Sequence, residues 1–151
     1  MKTDLPFRLV IREASFDELY LIHQQIPEFP SKISMLYYGE RLKNTLHLAL
    51  VAELEGKVVG FKVGYQGDNH KTFYSWMGGV IPGFRKAGVA SALAKFQEDW
   101  ARENGFKKIF FKTRNRFPAM ISFGLKRGFK IMEVIRKDSV EDYRIVMMKK
   151  L

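Results

Sequence analysis

The stretch Gly78–Phe96, GGVIPGFRKAGVASALAKF, decides how this sequence is interpreted. It joins an apparent strand to an apparent helix, and it contains four glycines, three basic residues and no acidic residue. Pro82 ends strand pairing, because proline has no N–H to donate. The first N–H groups of the following helix have no partner inside the helix and carry the positive end of its dipole. Such a helix start attracts anions.

The residue types around this helix start favour a phosphate group as the anion. Gly88 and Ala90 place no bulky side chain over the amides, and Arg85 and Lys86 add positive charge. The phosphate loop of nucleotide hydrolases is absent, since no Gly-Lys pair is followed by Ser or Thr. The dinucleotide fingerprint G-x-G-x-x-G is absent too. The turn therefore predicts a phosphate cradle of another type.

Length and composition limit the classes of protein. The chain has 151 residues, which suits one domain spanning 1–151. It has no cysteine, which excludes disulfides, thiolate metal ligands and a cysteine nucleophile, and we expect no metal site. No apolar run approaches a membrane span and no signal peptide is evident, so we expect a cytoplasmic protein without a membrane partner. The net charge of +10 favours anionic partners, or it serves solubility alone.

Hydrophobic periodicity predicts strands interleaved with helices in a mixed α/β sheet. Ser15 and Glu18 have the spacing of a capping box at the start of the first helix. Glu55 and Gly56 are predicted to turn a hairpin, and the apolar stripe Val89, Leu93, Phe96 and Trp100 of the long helix is expected to face the sheet. The predicted strands are 7–13, 47–53, 57–66, 72–81, 107–113, 129–137 and 142–150; the predicted helices are 15–26, 31–43, 86–104 and 117–128.

The motif V-x-P followed by R-x-x-G-x-A resembles the GNAT superfamily of N-acetyltransferases. The matching residues are Val80, Pro82, Arg85, Gly88 and Ala90. The order of elements, an asparagine after the next strand (Asn115) and the sequence KRGF at 126–129 agree with that family as well. The resemblance spans nearly the whole chain. It implies an α/β fold with a largely antiparallel twisted sheet flanked by helices.

The resemblance also implies a cofactor, acetyl-CoA, and assigns residues to it. The amides of Lys86, Ala87, Gly88, Val89 and Ala90 would bind the pyrophosphate of coenzyme A, and the Arg85 and Lys86 side chains would meet phosphate oxygens. Val80 would pair with the pantetheine arm through its backbone. A strand bulge at Gly78 and Gly79 would direct an N–H, assigned to Gly79, at the thioester carbonyl. Further cofactor contacts are assigned to Asn115 and Phe123. Asn115 has an alternative role as a residue that stabilises a turn.

The implied reaction is direct transfer of the acetyl group to a primary amine through a tetrahedral intermediate. Two proton carriers of many relatives are missing. Their tyrosine, four residues before the last Gly-Phe, is replaced by Gly124, and their strand glutamate by Tyr74. Tyr74 and Glu53 are therefore the candidate catalytic side chains, with His47 and His70 as weaker ones. The acceptor site would be lined by Phe29, Met35, Trp76 and Tyr37 or Tyr38, one of the two tyrosines lying in the core.

The expected partner is an amine acceptor, either a small molecule or a peptide, and a homodimer is a further candidate assembly. Positive charge disfavours polycationic acceptors. Two alternatives stay open at this point. The first is a non-catalytic coenzyme A sensor, which the missing tyrosine favours. The second is a basic nucleic-acid-binding module, although no recognition-helix or RNA-binding aromatic motif supports nucleic acid as a partner.

Overall fold

The computed structural model describes residues 8–151, and in this part of the chain seven strands form one sheet flanked by four α-helices. The strands are β1 Leu9–Glu13, β2 His47–Leu54, β3 Lys57–Gln66, β4 Thr72–Val80, β5 Lys108–Arg114, β6 Lys130–Ile135 and β7 Arg144–Lys150. The helices are α1 Phe16–His23, α2 Tyr37–Leu42, α3 Val89–Glu103 and α4 Pro118–Lys126. The predicted first strand began at Phe7, which lies outside the described residues.

The sheet has the order β1-β2-β3-β4-β5-β7-β6. All neighbouring strands pair antiparallel except β4 and β5, which are parallel. The predicted mixed, largely antiparallel α/β fold is therefore confirmed. The last strand, β7, lies between β5 and β6, so the final hairpin extends the sheet beyond β5 and β6 becomes its edge strand.

The sheet separates two hydrophobic cores. On one face α3 and α4 cover a core that includes Leu50, Phe73 and Met147. On the other face α1 and α2 cover a core around Leu19 and Phe61. The capping box of α1 is present as predicted, with Ser15 accepting from the Glu18 amide and the Glu18 carboxylate accepting from the Ser15 amide. Of the helices in residues 8–151, none is long and apolar enough to cross a membrane.

The prediction that Phe96 faces the sheet is wrong. Val89 and Leu93 are buried, but Phe96 is 38% exposed, and the next residue, Gln97, is 1% exposed. Successive residues of a helix are about 100° apart, and the buried arc of α3 is centred near Gln97 and Ala101. Phe96 therefore lies outside the buried face of α3. Because Gln97 is polar, the pattern of apolar residues does not reveal that the buried face of α3 is centred there.

The second predicted helix is much shorter than the expected 31–43. Irregular backbone follows Pro30, a turn at residues 35–36 precedes the helix, and α2 begins only at Tyr37. The Ser34 hydroxyl accepts a hydrogen bond from the Leu36 amide just before this start. The hairpin turn at Glu55 and Gly56 is confirmed, since both residues have a left-handed φ.

Candidate active site

A wedge-shaped cleft opens between β4 and β5. The two strands pair only over their first three residues, ending at Tyr74 and Phe110. Beyond that point β4 runs on to Val80 against β3, while β5 runs on against β7. The apex of the cleft therefore lies at the Tyr74–Phe110 pair, and its wide end lies at the turn between β4 and α3.

The bulge of β4 lies at Trp76, so its predicted position at Gly78 and Gly79 is wrong. Val63 pairs with Met77 and Gly64 pairs with Ser75, which leaves Trp76 as the extra residue. Gly78 and Gly79 continue in regular register opposite Lys62 and Phe61.

Close packing accounts for the glycines on both strands. A Cβ on Gly79 would lie 3.2 Å from Ile26, and one on Gly78 would lie 3.1 Å from the Phe61 carbonyl oxygen. A Cβ on Gly64, beside the bulge, would lie 2.3 Å from the Phe73 ring. The sequence signal of the bulge is thus a glycine on the partner strand. The Ile81 amide donates to the Val59 carbonyl oxygen of β3, and the Gly79 amide, two residues earlier in the same regular ladder, faces β3 as well. The expected role of the Gly79 amide at the thioester is therefore not supported by this geometry.

The turn before α3 forms a cradle of free amides. Lys86 and Gly88 both have a left-handed φ, of 69° and 81°, and α3 begins at Val89 without a side-chain cap. Within residues 8–151 no carbonyl or side chain accepts a hydrogen bond from the amides of residues 86–91. A Cβ on Gly88 would meet no atom within 4 Å. These open, unpartnered amides at a helix start fit a pyrophosphate group.

Arg85 is held by an ion pair with the segment between α1 and α2. Its guanidinium donates to both carboxylate oxygens of Glu28, at 2.9 and 2.7 Å, and its Nε donates to the Val80 carbonyl oxygen at 2.9 Å. The ion pair raises the pKa of Arg85 and lowers that of Glu28. The predicted contacts of the Arg85 side chain with phosphate, and of the Val80 backbone with the pantetheine arm, are therefore not preformed.

Asn115 and Phe123 lie at different places around the cleft. The Asn115 side-chain amide donates to the Val140 carbonyl oxygen at 2.8 Å, which matches its alternative role as a turn residue. Phe123 is half-buried on α4 and lines a small cavity near the apex of the cleft.

Close packing explains why Gly124 replaces the tyrosine of many relatives. A Cβ on Gly124 would lie 2.7 Å from the Phe111 ring and 3.1 Å from the Met147 side chain. The first atom of any larger side chain would therefore collide with the core under α4. Position 124 therefore has no room for the tyrosine of those relatives.

Aromatic rings line the cleft on the face covered by α1 and α2. Tyr74 stacks on Phe110 with ring centroids 4.7 Å apart, and Tyr37 stacks on Trp76 at 5.6 Å. Tyr65 packs edge-on against both Tyr74 and Trp76. These contacts extend the expected aromatic lining, since Tyr65 and Phe110 join the predicted Trp76 and Tyr37.

The three predicted lining residues that remain lie elsewhere. Phe29 packs edge-on against the core residue Phe61, with ring centroids 6.0 Å apart. Tyr38 is in the core, where His23 Nδ1 lies 2.7 Å from its hydroxyl, as expected for one of the two tyrosines. Met35 is 63% exposed. His23 Nε2 in turn lies 2.9 Å from the Pro30 carbonyl oxygen, so this buried pair anchors the segment leading to α2.

Three cations surround the aromatic lining near Tyr74. The Arg41 guanidinium lies 4.4 Å from the Trp76 ring centre and donates to the Tyr65 hydroxyl at 2.9 Å. Lys112 Nζ lies 5.3 Å from the Tyr74 ring centre, and Arg144 has a buried Nε without a partner. None of these three side chains forms an ion pair with a carboxylate of residues 8–151. Burial raises the pKa of the Tyr74 phenol, with smaller opposing effects from Arg144 and Arg41.

The structure does not bring Glu53 to the cleft. Glu53 lies on β2, two strands away from the open edge of β4, and its carboxylate accepts a hydrogen bond from Arg12 Nε. The candidate histidines are also occupied or remote: His47 bonds the Thr45 carbonyl oxygen, and His70 is exposed in the loop before β4.

Sequence reasoning missed Lys62, which lines the small cavity, and the following residues of the cleft: Arg41, Lys112, Arg144, Tyr65 and Phe110. Only Lys62 carried a signal, because a lysine in the middle of an apolar strand is unusual.

The family is established by comparison with known proteins. Residues 16–129 match the model of the acetyltransferase (GNAT) family. An acetyltransferase of Pectobacterium atrosepticum is 32% identical over 105 residues, which are 68% of this chain and 72% of the relative. The chain therefore belongs to the GNAT acetyltransferase family and is an N-acetyltransferase.

Solved structures agree with this fold. The ribosomal-protein-S18-alanine N-acetyltransferase from Escherichia coli superimposes with a TM-score of 0.81 at 17% identity, over 95% of this chain and 94% of that one. An aminoglycoside 6′-N-acetyltransferase complexed with coenzyme A superimposes with a TM-score of 0.76 at 18% identity, over 93% and 96% of the two chains. At sequence identities of 17% and 18%, these superpositions establish the fold alone.

Proposed function

We propose that the protein uses acetyl-CoA to acetylate a primary amine by direct attack. The observation that carries this proposal is the row of unpartnered amides at residues 86–91, at the wide end of the cleft. A helix start with free amides holds a pyrophosphate group well. When bound there, acetyl-CoA supplies the activated acetyl group as a thioester. The family uses this cofactor, and one structural neighbour is a coenzyme A complex.

The two ends of the cleft have different roles: the wide end binds the phosphates of acetyl-CoA, and the apex binds the acceptor amine. Residues 86–90 hold phosphate, and the unpaired edge of β4 from Ser75 to Val80 offers backbone groups to the pantetheine arm. The proposed donor to the thioester carbonyl is the Gly78 amide, which alternates with the Gly79 amide along β4 and therefore faces the cleft. Tyr74 lies at the apex on the aromatic face, where its raised pKa keeps the phenol protonated. A neutral phenol there can hydrogen-bond the attacking amine.

We further propose that the acceptor amine carries an anionic group, such as a carboxylate. Arg41, Lys112 and Arg144 surround the aromatic lining without a carboxylate partner among the described residues. A buried guanidinium nitrogen without a partner is costly, and an anionic acceptor would satisfy it. The rings of Tyr74 and Trp76 offer an apolar surface to the rest of the acceptor. A polyamine would place further positive charge among three cations.

The cofactor proposal is tested by Gly88→Glu. A glutamate at this exposed position would direct negative charge into the amide cradle, so the thermal stabilisation by acetyl-CoA should disappear. Gly56→Glu is the matched control, because Gly56 also has a left-handed φ and open space around it, but lies in the β2–β3 turn. Both variants should fold with similar melting temperatures. Equal stabilisation of the two variants by acetyl-CoA would contradict the cradle.

The acceptor proposal is tested with amines that differ only in the carboxylate. Phenylalanine and phenethylamine form such a pair, and the release of free thiol reports on transfer. We expect kcat/KM to be at least about tenfold higher for the carboxylate member, since a charge-assisted hydrogen bond contributes roughly 1.5–3 kcal/mol. Arg41→Gln should reduce this preference and Arg136→Gln, at an exposed position after β6, should not. Equal rates for the two amines would refute an anionic acceptor.

A further inference from the structure

A small cavity of about 10 Å³ lies at the apex of the cleft, on the face covered by α3 and α4. Its walls include Ser75 and Phe111, the first residues of β4 and β5 beyond their last pair, and Phe123 of α4. Lys62 of β3 and Gln97 of α3 complete its polar side. The cavity is large enough for about one water molecule or one comparable polar group.

Two polar side chains in this cavity lack partners. Gln97 is 1% exposed, and neither its amide nitrogen nor its oxygen forms a hydrogen bond. Lys62 forms no hydrogen bond or ion pair within residues 8–151. The two nearest charged groups, Glu98 and Arg127, bond one another, and Glu98 also binds Lys149 of β7. A buried amide without a partner, beside a half-buried amine that also has none, indicates a site that a further polar group completes.

Lys62 lies next to the part of β4 along which the thioester is proposed to bind. Lys62 pairs in register with Gly78 of β4, and a Cβ on Gly78 would lie 3.4 Å from the Lys62 Cγ. The Lys62 side chain therefore lies directly beside Gly78, on the edge strand of the cleft. The same cavity lies beside Phe111, whose ring excludes any side chain from position 124.

We propose that Lys62 is the proton donor to the leaving thiolate, in the role that tyrosine fills in many relatives; this rests on the proposed function. The acceptor nitrogen forms a bond to the acetyl carbon, the carbon–sulfur bond breaks, and the sulfur takes a proton from the Lys62 ammonium. The proton lost by the acceptor nitrogen passes to solvent, and Lys62 regains a proton from solvent.

The acidity of Lys62 suits this task. Burial lowers its pKa from 10.5 to about 8, with Glu98 opposing and Arg127 reinforcing the effect. A thiol has a pKa of roughly 8.5, so an acid near 8 is well matched to a leaving thiolate near neutral pH. An exposed lysine would be a weaker acid.

The lowered pKa has a consequence for stability that does not depend on acetyl transfer. The unfolded chain holds the Lys62 proton up to about pH 10.5, whereas the folded chain releases it near pH 8. Stability should therefore rise between these values relative to Lys62→Met, because the unfolded state binds more protons there. Lys108→Met, at the exposed start of β5, is the matched control and should follow the wild type.

The decisive experiment follows the ionisation of the thiol of bound coenzyme A by ultraviolet difference spectroscopy as the pH is raised. An ammonium close to the sulfur should lower the thiol pKa by about 1 unit or more in the wild type and in Lys108→Met. Lys62→Met should lose this shift, and Lys62→Arg should keep it. Acetyl transfer should fall about 100-fold in both Lys62 variants, because arginine keeps the charge but cannot donate its proton near neutral pH.

The possible failures are distinguishable. If coenzyme A binds but its thiol ionises alike in wild type and Lys62→Met, Lys62 does not contact the sulfur and the inference is wrong. If acetyl-CoA acetylates Lys62 itself, as detected by peptide mass spectrometry, the lysine is a nucleophile and not the acid. If coenzyme A fails to stabilise the wild type, the proposed function falls and this inference falls with it.

Discussion

At the scale of single residues, packing and charge decide which side chains reach the cleft. Gly124 is a glycine because Phe111 occupies the space beside it, and Lys62 lines the cavity beside Gly78. Arg85 carries the family motif, yet its guanidinium binds Glu28. A motif identifies a residue's position in the chain, but its partner depends on residues that are distant in sequence.

Gly124→Ala should destabilise the protein, although alanine is the better helix former. In an open helix position the change from glycine would gain about 1 kcal/mol. Here the new Cβ would lie 2.7 Å from the Phe111 ring, and overpacking of this kind costs roughly 1–3 kcal/mol. Urea unfolding measures the difference. Gly83→Ala, where a Cβ meets nothing within 4 Å, should show no such loss. A more stable Gly124→Ala variant would contradict the close packing of α4.

At the scale of elements, an ion-pair cluster ties β1, β2 and α1 together. Arg12 binds both Glu18 of the capping box and Glu53 of β2. The Arg12 guanidinium and the Ser15 amide lower the pKa of Glu18 from 4.5 to about 2. The cluster therefore gives Glu53 a structural role in place of the catalytic one expected from the sequence.

The depressed pKa of Glu18 predicts an acid-dependent loss of stability. The contribution of the carboxylate is fully present above about pH 4.5 and is lost as the pH falls through about 2, because the unfolded chain binds the proton first. Arg12→Gln should lower the urea midpoint at pH 7, and the difference from wild type should shrink as the pH falls towards 2. Arg136→Gln should track the wild type throughout. A difference that stays constant between pH 5 and 2 would argue against the ion pair as its source.

At the scale of the whole molecule, the sequence predicted the order of the elements better than the side chains that line the cleft. Local signals such as the Ser15 cap and the Glu55–Gly56 turn depend on nearby residues, and the structure confirms both. The phosphate cradle around Gly88 stays a prediction. The bulge at Trp76 and the ion pair of Arg85 depend on partners that are distant in the chain. The burial of Gln97 depends on how α3 rotates against the sheet. The expected homodimer stays a prediction, which light scattering in solution would test.

The placement of β7 sets the order in which the sheet can be completed. β6 pairs only with β7 in the described sheet, and β7 also covers the free edge of β5. During synthesis, a nascent chain that has emerged only as far as Tyr143 leaves β6 without a neighbour and β5 with an open edge. Assembly of this half of the molecule must therefore wait for Arg144–Lys150 to leave the ribosome, and until then the exposed edge of β5 is the surface that a chaperone would have to protect.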